Sequence, residues 1–143
     1  MERLCTWMLI GVVLATYCGL SGCDKGGIAR YDLKGQITYK GKPVPRGNIR
    51  FAPDTKKGNA GPGSSAEIVD GKYETMLGLG TVGGPHKVYI FGTDGVQFKN
   101  EFGAVIPIGR KIFSQYQTSA DFPMEAATQD FEVPAKGKKK ERR

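Results

Sequence analysis

Residues 33–39 read Leu33-Lys-Gly-Gln-Ile-Thr-Tyr39, and this stretch decides the fold class. Its odd-numbered positions are Leu, Gly, Ile and Tyr, whereas its even-numbered positions are Lys, Gln and Thr. Alternation with a period of two is typical of a strand that has one buried face and one solvated face. The segment therefore predicts a β-strand at the start of a folded domain.

Similar segments recur along the chain, and turn residues separate them. The predicted strands span residues 33–39, 48–52, 65–69, 72–76, 86–91 and 128–133. Ile49 and Phe51 are the expected inward side chains of the second segment. Residues 40–45 are predicted to form a turn, in which Gly41 supplies the unusual backbone angle. Asp70-Gly71 lies between two β-prone runs, which is a strong signal for a hairpin. Residues 86–91 form the most apolar segment, so we expect them to lie centrally in the sheet.

Helical periodicity is missing from the segments that follow the N-terminal run. No window of 11 or more residues repeats its apolar positions as an amphipathic helix does. Short strands separated by turn signals therefore predict an all-β domain, an antiparallel β-sandwich of six or seven strands. Residues 92–110 are expected to form a long connection, and one helical turn is expected near residues 110–116.

The N-terminus reads as an export signal. Residues 7–16 are apolar and uncharged, Arg3 precedes them and small residues follow, which is the pattern of a secretory signal peptide. Leu20-Ser21-Gly22-Cys23 resembles a bacterial lipobox, which implies cleavage before Cys23 and a diacylglyceryl group on its thiol. Two alternatives are an ordinary signal followed by an unpaired cysteine and a buried N-terminal helix. Neither explains why a cysteine follows small residues directly after the apolar run.

Four regions follow from these patterns. We expect a signal-peptide helix at 1–22, a tether at 23–30, the β-sandwich at 31–134 and a disordered basic tail at 135–143. The chain has a formal charge of +7, but residues 136–143 hold six positive charges and one negative charge, so most of the excess lies in the tail. Such a run is usually solvated, although it could attract an acidic polymer or anionic lipid. We expect no nucleic-acid partner for an exported protein.

The order of these motifs resembles a known family. Residues 33–44, then Gly47-Asn-Ile-Arg-Phe-Ala-Pro53, then Ile68-Val-Asp-Gly-Lys-Tyr73 are similar to carboxypeptidase regulatory-like and transthyretin-like domains. The nearest resemblance is to small planctomycete-type lipoproteins that carry one such domain. This resemblance implies an antiparallel Ig-like or transthyretin-like β-sandwich of about seven strands at the cell envelope, lipid-anchored to the inner or outer membrane. It implies no activity, because fold does not fix function.

No set of residues points to catalysis. Transthyretin-like hydrolases use several histidines, whereas this chain has one, His86, for which we expect a structural or surface role. A zinc site needs three or four ligands, and the carboxylates are scattered. Asp70 and Asp94 each precede a glycine, a pair of residues that is typical of turns. We therefore predict no catalytic residue, no metal and no cofactor, and a protein that is not an enzyme.

The remaining candidates for function are aromatic. They are Tyr89, Phe91, Phe98, Phe102, Phe113 and Tyr116. We expect these side chains to fill the core and close its open end, because large aromatics mostly supply buried area. If several are exposed, they form a patch for a glycan or a protein. The leading hypothesis is a membrane-anchored structural or protein-interaction module, and the alternative is a module that binds envelope polysaccharide or an acidic polymer.

Overall fold

A computed structural model describes residues 27–135, so Cys23 and the expected signal and basic tail lie outside the described residues. Seven strands have three or more residues, namely β1 Leu33–Tyr39, β3 Arg46–Pro53, β4 Ser64–Val69, β5 Lys72–Glu74, β6 Gly84–Thr93, β9 Tyr116–Phe122 and β11 Phe131–Val133. Four have two residues, namely β2 Lys42–Pro43, β7 Phe98–Lys99, β8 Val105–Ile106 and β10 Ala127–Thr128. Within residues 27–135 there is no α-helix, only a 3₁₀ turn at Thr55–Lys57.

One sheet contains all strands except β7 and β8, which form a separate hairpin. Its order is β10-β1-β5-β4-β3-β6-β9, and β2 and β11 also pair with β1. The ladders are antiparallel except where β10 and β11 run parallel to β1. The strand 86–91, expected to lie centrally, is β6. It has partners on both sides, β3 and β9, but it lies one strand from the end of the sheet. The all-β expectation is therefore confirmed, as a largely antiparallel sheet.

The last two strands act as one interrupted strand along β1. Both ladders keep the same register, and between them Gly35 and Gln36 lie opposite Gln129 and Asp130 without ladder pairing. A Cβ on Gly35 would lie 2.0 Å from the Gln129 carbonyl oxygen, so this close approach requires glycine there. The Asp130 carboxylate accepts a hydrogen bond of 2.7 Å from the Gln36 N–H, which replaces the missing ladder bond.

The sheet curls around Phe51. This β3 ring lies with its centroid 5.9 Å from that of Tyr73 in β5 and 5.4 Å from that of Phe122 in β9. Both partners are two strands away, a separation of about 9.6 Å in a flat sheet. The rings meet because the sheet folds its inner face onto itself, and Phe51 is fully buried as a result.

The core is a single apolar cluster on that inner face. Its members include Leu33, Ile37, Val44, Ile49, Phe51, Ala66, Ile68, Tyr73, Val88, Ile90, Phe122 and Val133. The Tyr73 hydroxyl donates a hydrogen bond of 2.6 Å to the carbonyl of Gln129. Burial, and secondarily the Asp130 carboxylate, raises the pKa of Tyr73. Tyr73 thus joins the core to Gln129, which lies between β10 and β11.

The two predicted turns have the expected geometry. Lys40 and Gly41, and likewise Asp70 and Gly71, have positive φ angles, which is the geometry of two-residue hairpin turns. Sequence reasoning did not identify Val44 as a core residue: it belongs to the predicted turn 40–45, yet it is fully buried. Its backbone amide donates to the carbonyl of Ile37, which carries the side chain into the core.

Two details of the second half differ from expectation. The helical turn predicted near residues 110–116 does not form; the segment is irregular until β9 begins at Tyr116. The connection 92–110 is not continuous loop, because β6 extends to Thr93 and β7 pairs with β8. Three of the four glycines of this segment have positive φ, namely Gly95, Gly103 and Gly109.

The sheet has two ends, which the strand directions define. β1 starts at the end called here the tether end, where Leu33, Gly84 and Phe122 lie. It finishes at the distal end, beside Val133 of the parallel strand β11. With seven residues, β1 separates the two ends by about 20 Å. The described chain therefore enters at one end of the domain and leaves at the other.

Candidate functional site

The outer face of β3, β6 and β9 carries two aromatic rings. Along β6 the buried side chains alternate with outward ones, so Tyr89 and Phe91 point away from the core. Phe91 is 40% exposed. In the ladders Tyr89 lies between Arg50 of β3 and Gln117 of β9. We call Arg50, Lys87, Tyr89, Phe91 and Gln117 the aromatic face.

The aromatic face is bordered by positive charge. The exposed Arg50 lies beside Tyr89 in the ladder. Lys87 is the next outward residue of β6, and its Nζ lies 3.8 Å from the Asp54 carboxylate. That distance leaves the ammonium able to donate to a second acceptor. Glu67 of β4 also points outward, and its carboxylate lies 3.1 Å from the guanidinium of Arg46, with which it forms an ion pair. The rings are thus flanked by cations, one of them without an ion pair among residues 27–135.

A cleft continues from Phe91 toward the distal end. It has a volume of about 740 Å³, and its walls are residues 91–93, Ile108 and residues 111–115. Two of the side chains that line it are exposed and carry a charge or an amide, namely Lys111 and Gln115. The cleft therefore repeats the chemistry of the aromatic face, an aromatic ring beside a cation and an amide.

Glycine at position 92 shapes the floor of this cleft. A Cβ there would lie 2.3 Å from the Phe113 ring, so only glycine lets that ring pack under β6. Phe113 also contacts Tyr39, with ring centroids 5.0 Å apart. The floor is consequently fixed by the core, although Phe113 itself is not fully buried.

The β7–β8 hairpin projects beside the cleft and presents Phe102 at its tip. The side chain of Asn100 accepts hydrogen bonds from the backbone amides of Phe102 and Ala104, at 3.0 and 2.8 Å. These bonds order the turn while leaving Phe102 93% exposed. At the base, the Arg110 guanidinium lies 4.6 Å from the centroid of the Phe98 ring, which is a cation–π contact.

Asp94 closes the loop that carries this hairpin. Its carboxylate oxygen accepts hydrogen bonds from the amides of Val96 and Arg110, both at 2.9 Å. The Val96 hydrogen bond is the main reason that the pKa of Asp94 is lowered; the Arg110 amide and guanidinium act in the same direction. The turn role predicted for Asp94 is confirmed, and it extends to the far end of the loop.

His86 is part of the core. It is 1% exposed, its Nδ1 lies 2.9 Å from the Gly84 carbonyl, and its ring meets Phe122 edge to face at 5.3 Å. Of the two roles expected for His86, structural or surface, the structural one is therefore correct. Between residues 27 and 135, no three His, Cys, Asp or Glu side chains come together as metal ligands would.

A second groove lies on the outer face of β1, β4 and β5. Its volume is about 680 Å³, and its charged walls are Lys34, Glu67, Asp70, Lys72, Glu74 and Asp130. These walls carry charges of both signs. Two of the acids already have partners in the protein, because Glu67 forms an ion pair with Arg46 and Asp130 accepts a hydrogen bond from the Gln36 amide. This groove lacks an exposed ring, so it has the character of an ordinary solvated sheet face.

The prediction that the six aromatics fill the core is wrong. None of them is fully buried: Tyr116 and Phe113 pack against the core edge, whereas Phe91 and Phe102 are exposed. The core is filled by aliphatic side chains and by Phe51, Tyr73 and Phe122. Sequence reasoning missed this because Tyr89 and Phe91 sit in a segment that is apolar on both faces, so alternation could not separate inside from outside.

Sequence and structure comparisons add no relative. Neither a protein-family model, nor a curated protein, nor a solved structure matches the chain. Among residues 27–135 there is no helix of the length and hydropathy that crossing a bilayer requires.

Proposed function

We propose that this protein is a non-enzymatic lipoprotein of the cell envelope, anchored through Cys23, whose transthyretin-like β-sandwich binds a carboxylated polysaccharide on its aromatic face. The observation that carries the binding role is the outward position of Tyr89 and Phe91 between Arg50 and Gln117. The lipobox resemblance of residues 20–23 supports the anchor, and the curled sheet is compatible with a sandwich.

The chemistry of the face matches a sugar chain. Sugar rings present C–H groups on their faces and hydroxyl groups at their edges. An aromatic ring packs against the first, and amides such as Gln117 bind the second. Tyr89 and Phe91 are two residues apart on one strand, a spacing of about 7 Å, so they can contact successive parts of one chain.

The cations favour an acidic sugar. The guanidinium of Arg50 can bind a carboxylate with two parallel hydrogen bonds. Lys87 and Lys111 lie before and after the rings along the face and the cleft. A polyuronate would place its repeated carboxylates along this series of cations. A neutral glucan offers them nothing to pair with, so it should bind more weakly.

Affinity electrophoresis in gels that contain alginate tests the binding role. The wild-type protein should be retarded by alginate and much less by dextran. Tyr89→Ala and Arg50→Ala should each weaken the apparent affinity about fivefold or more, as truncation of a central aromatic or arginine does in other interfaces. Phe102→Ala, which removes an exposed ring elsewhere, is the matched control and should leave mobility unchanged. Equal retardation of all four proteins would refute the assignment.

The anchor is tested separately. The intact mass of the mature protein should show cleavage before Cys23 and the addition of a diacylglyceryl group. Cys23→Ser should abolish both changes, so that the intact mass shows neither cleavage before residue 23 nor an added diacylglyceryl group. A Cys23→Ser protein that is still processed and still sediments would refute the lipid anchor.

A protein partner is the second candidate, and the edge of β9 favours it. β9 pairs with β6 on one side and with no other strand of residues 27–135. An unpaired strand edge can accept a strand from another protein. A photo-cross-linking residue in place of Gln117 should then yield a protein adduct in intact cells, whereas one at Gln36 should not. Adducts at neither position would leave no support for this candidate.

A further inference from the structure

The tether end of the domain carries an exposed apolar patch. We call Ile28, Met76, Leu77 and Leu79 the tether-end patch. Their exposed fractions are 63%, 70%, 92% and 45%. Met76 and Leu79 lie beside Arg30 around one hollow. Met76, Leu77 and Leu79 lie on one turn of the chain, and groups of exposed apolar side chains of this kind mark contact surfaces.

The turn that presents the patch is held from within. The Leu79 amide donates to the Met76 carbonyl at 2.8 Å, and Gly78 takes a positive φ of 71° between them. The Asp32 carboxylate accepts a hydrogen bond of 2.9 Å from the Gly78 amide. These bonds place Leu77 at the outermost point of an ordered turn.

Arg30 fixes the entering chain to the same turn. Its guanidinium donates to the carbonyls of Gly80 and Leu79, both at 2.8 Å, and to that of Gly63 at 2.9 Å. The Leu79 carbonyl also accepts from the Ser64 hydroxyl at 2.6 Å. Several backbone groups of the turn are therefore already paired, which lowers the cost of moving the turn into an apolar medium.

The length of the tether determines what meets this patch. Residues 24–30 follow Cys23, and Arg30 is the last of these seven residues. Seven residues span at most about 25 Å. A lipid on Cys23 would hold the tether end within that distance of the bilayer. The distal end, with Phe102, would lie a further 20 Å or so away.

We infer that the tether-end patch docks on the membrane surface, with Met76 and Leu77 inserted among the lipid headgroups. This inference rests on the proposed Cys23 anchor. Lys56 and Lys57 are exposed on the neighbouring 3₁₀ turn and can bind phosphate groups. Docking would orient the domain with its distal end away from the membrane, because the anchor and the patch would both contact the bilayer. The aromatic face would then stand along the membrane normal.

A single tryptophan reports the docking. The only Trp of the chain is Trp7, inside the expected signal peptide, so the processed protein has none. Leu77→Trp and Phe102→Trp place one reporter at each end, at two highly exposed apolar residues. Both lipidated proteins are reconstituted into phosphatidylethanolamine–phosphatidylglycerol vesicles that contain lipids brominated near the headgroup.

The Leu77→Trp protein should show a blue-shifted emission that brominated lipid quenches about twofold or more, whereas the Phe102→Trp protein should show an unquenched, water-like emission. If the proteins float with vesicles but both tryptophans emit as in water, the domain stands clear of the bilayer and only this inference fails. If the proteins do not float with vesicles, the anchor and this inference fail together. Quenching in the Phe102→Trp protein alone would overturn the orientation.

Discussion

Replacement of Phe51 by alanine tests the curl of the sheet. The ring is fully buried and touches Tyr73 and Phe122, which belong to strands two places away on either side. Removing a buried phenylalanine side chain costs about 3–5 kcal/mol, since it loses transfer free energy and leaves a cavity. A domain of this size has a total stability of about 5–15 kcal/mol, so Phe51→Ala should be strongly destabilised or unfolded.

Urea unfolding followed by far-UV circular dichroism measures this loss. Phe102→Ala, at a ring that is 93% exposed, is the control and should change the free energy of unfolding by no more than about 0.5 kcal/mol. The milder pair Phe51→Leu and Phe122→Leu allows a double-mutant cycle if the alanine variant does not fold. Their rings meet edge to face at 85°, for which we expect a coupling of about 0.5–1.5 kcal/mol.

Either of two results would refute this reasoning. A loss below about 1 kcal/mol for Phe51→Ala, against the 3–5 expected for a buried ring, would mean that water reaches the ring, so the inner face of the sheet is not enclosed. Zero coupling between Phe51 and Phe122 would mean that β3 and β9 do not face each other, as in a flat sheet. Both results would remove the basis for a sandwich.

Two further predictions concern loops. Asp94→Ala should speed amide exchange at Arg110 and across the hairpin loop. The Asp94 carboxylate stabilises the folded loop at any pH above its ordinary pKa of about 3.9, because its pKa is lowered in the fold. In the wild type the same loosening should therefore appear only as the pH falls through that lowered pKa. Amide exchange in the loop that does not depend on pH in this way would contradict the prediction. Gly71→Ala should destabilise more than Gly41→Ala. Both sites have positive φ, which costs about 1–2 kcal/mol, but only at Gly71 would the Cβ also meet Pro43, at 2.6 Å; equal urea midpoints would contradict this.

The positions of strands could be predicted from the sequence wherever one face of the strand carries polar side chains. The alternation of residues 33–39 coincides with β1 residue for residue. The Asp70-Gly71 pair marks its hairpin because few residues tolerate positive φ in succession. Local chemistry alone determines both features, so no knowledge of distant contacts was needed.

The features that depend on distant contacts could not be predicted. Nothing in the pattern of residues 128–133 distinguishes a strand parallel to β1 from an antiparallel one. The burial of Val44 depends on the curl of the sheet, and its proline neighbours favoured a turn. The aromatic face was hidden because Val88 and Ile90, which fill the core, alternate with rings that are equally apolar.

The described chain leaves the domain at the distal end. Val133 pairs with Tyr39 there, whereas the chain enters near Leu33. If the tether end docks on the membrane, the last described residues lie about 20 Å farther out.

A nuclear magnetic resonance titration with short alginate oligomers tests the central claim most directly. In a ¹⁵N-labelled protein, the largest shift changes should map to the backbone amides of Arg50, Lys87, Tyr89, Phe91 and Gln117, with smaller ones at Lys111. They should saturate with added oligomer and be much weaker in the Tyr89→Ala variant. Changes confined to the groove of β1, β4 and β5, or no saturable change at all, would contradict the claim that this face binds a carboxylated polysaccharide.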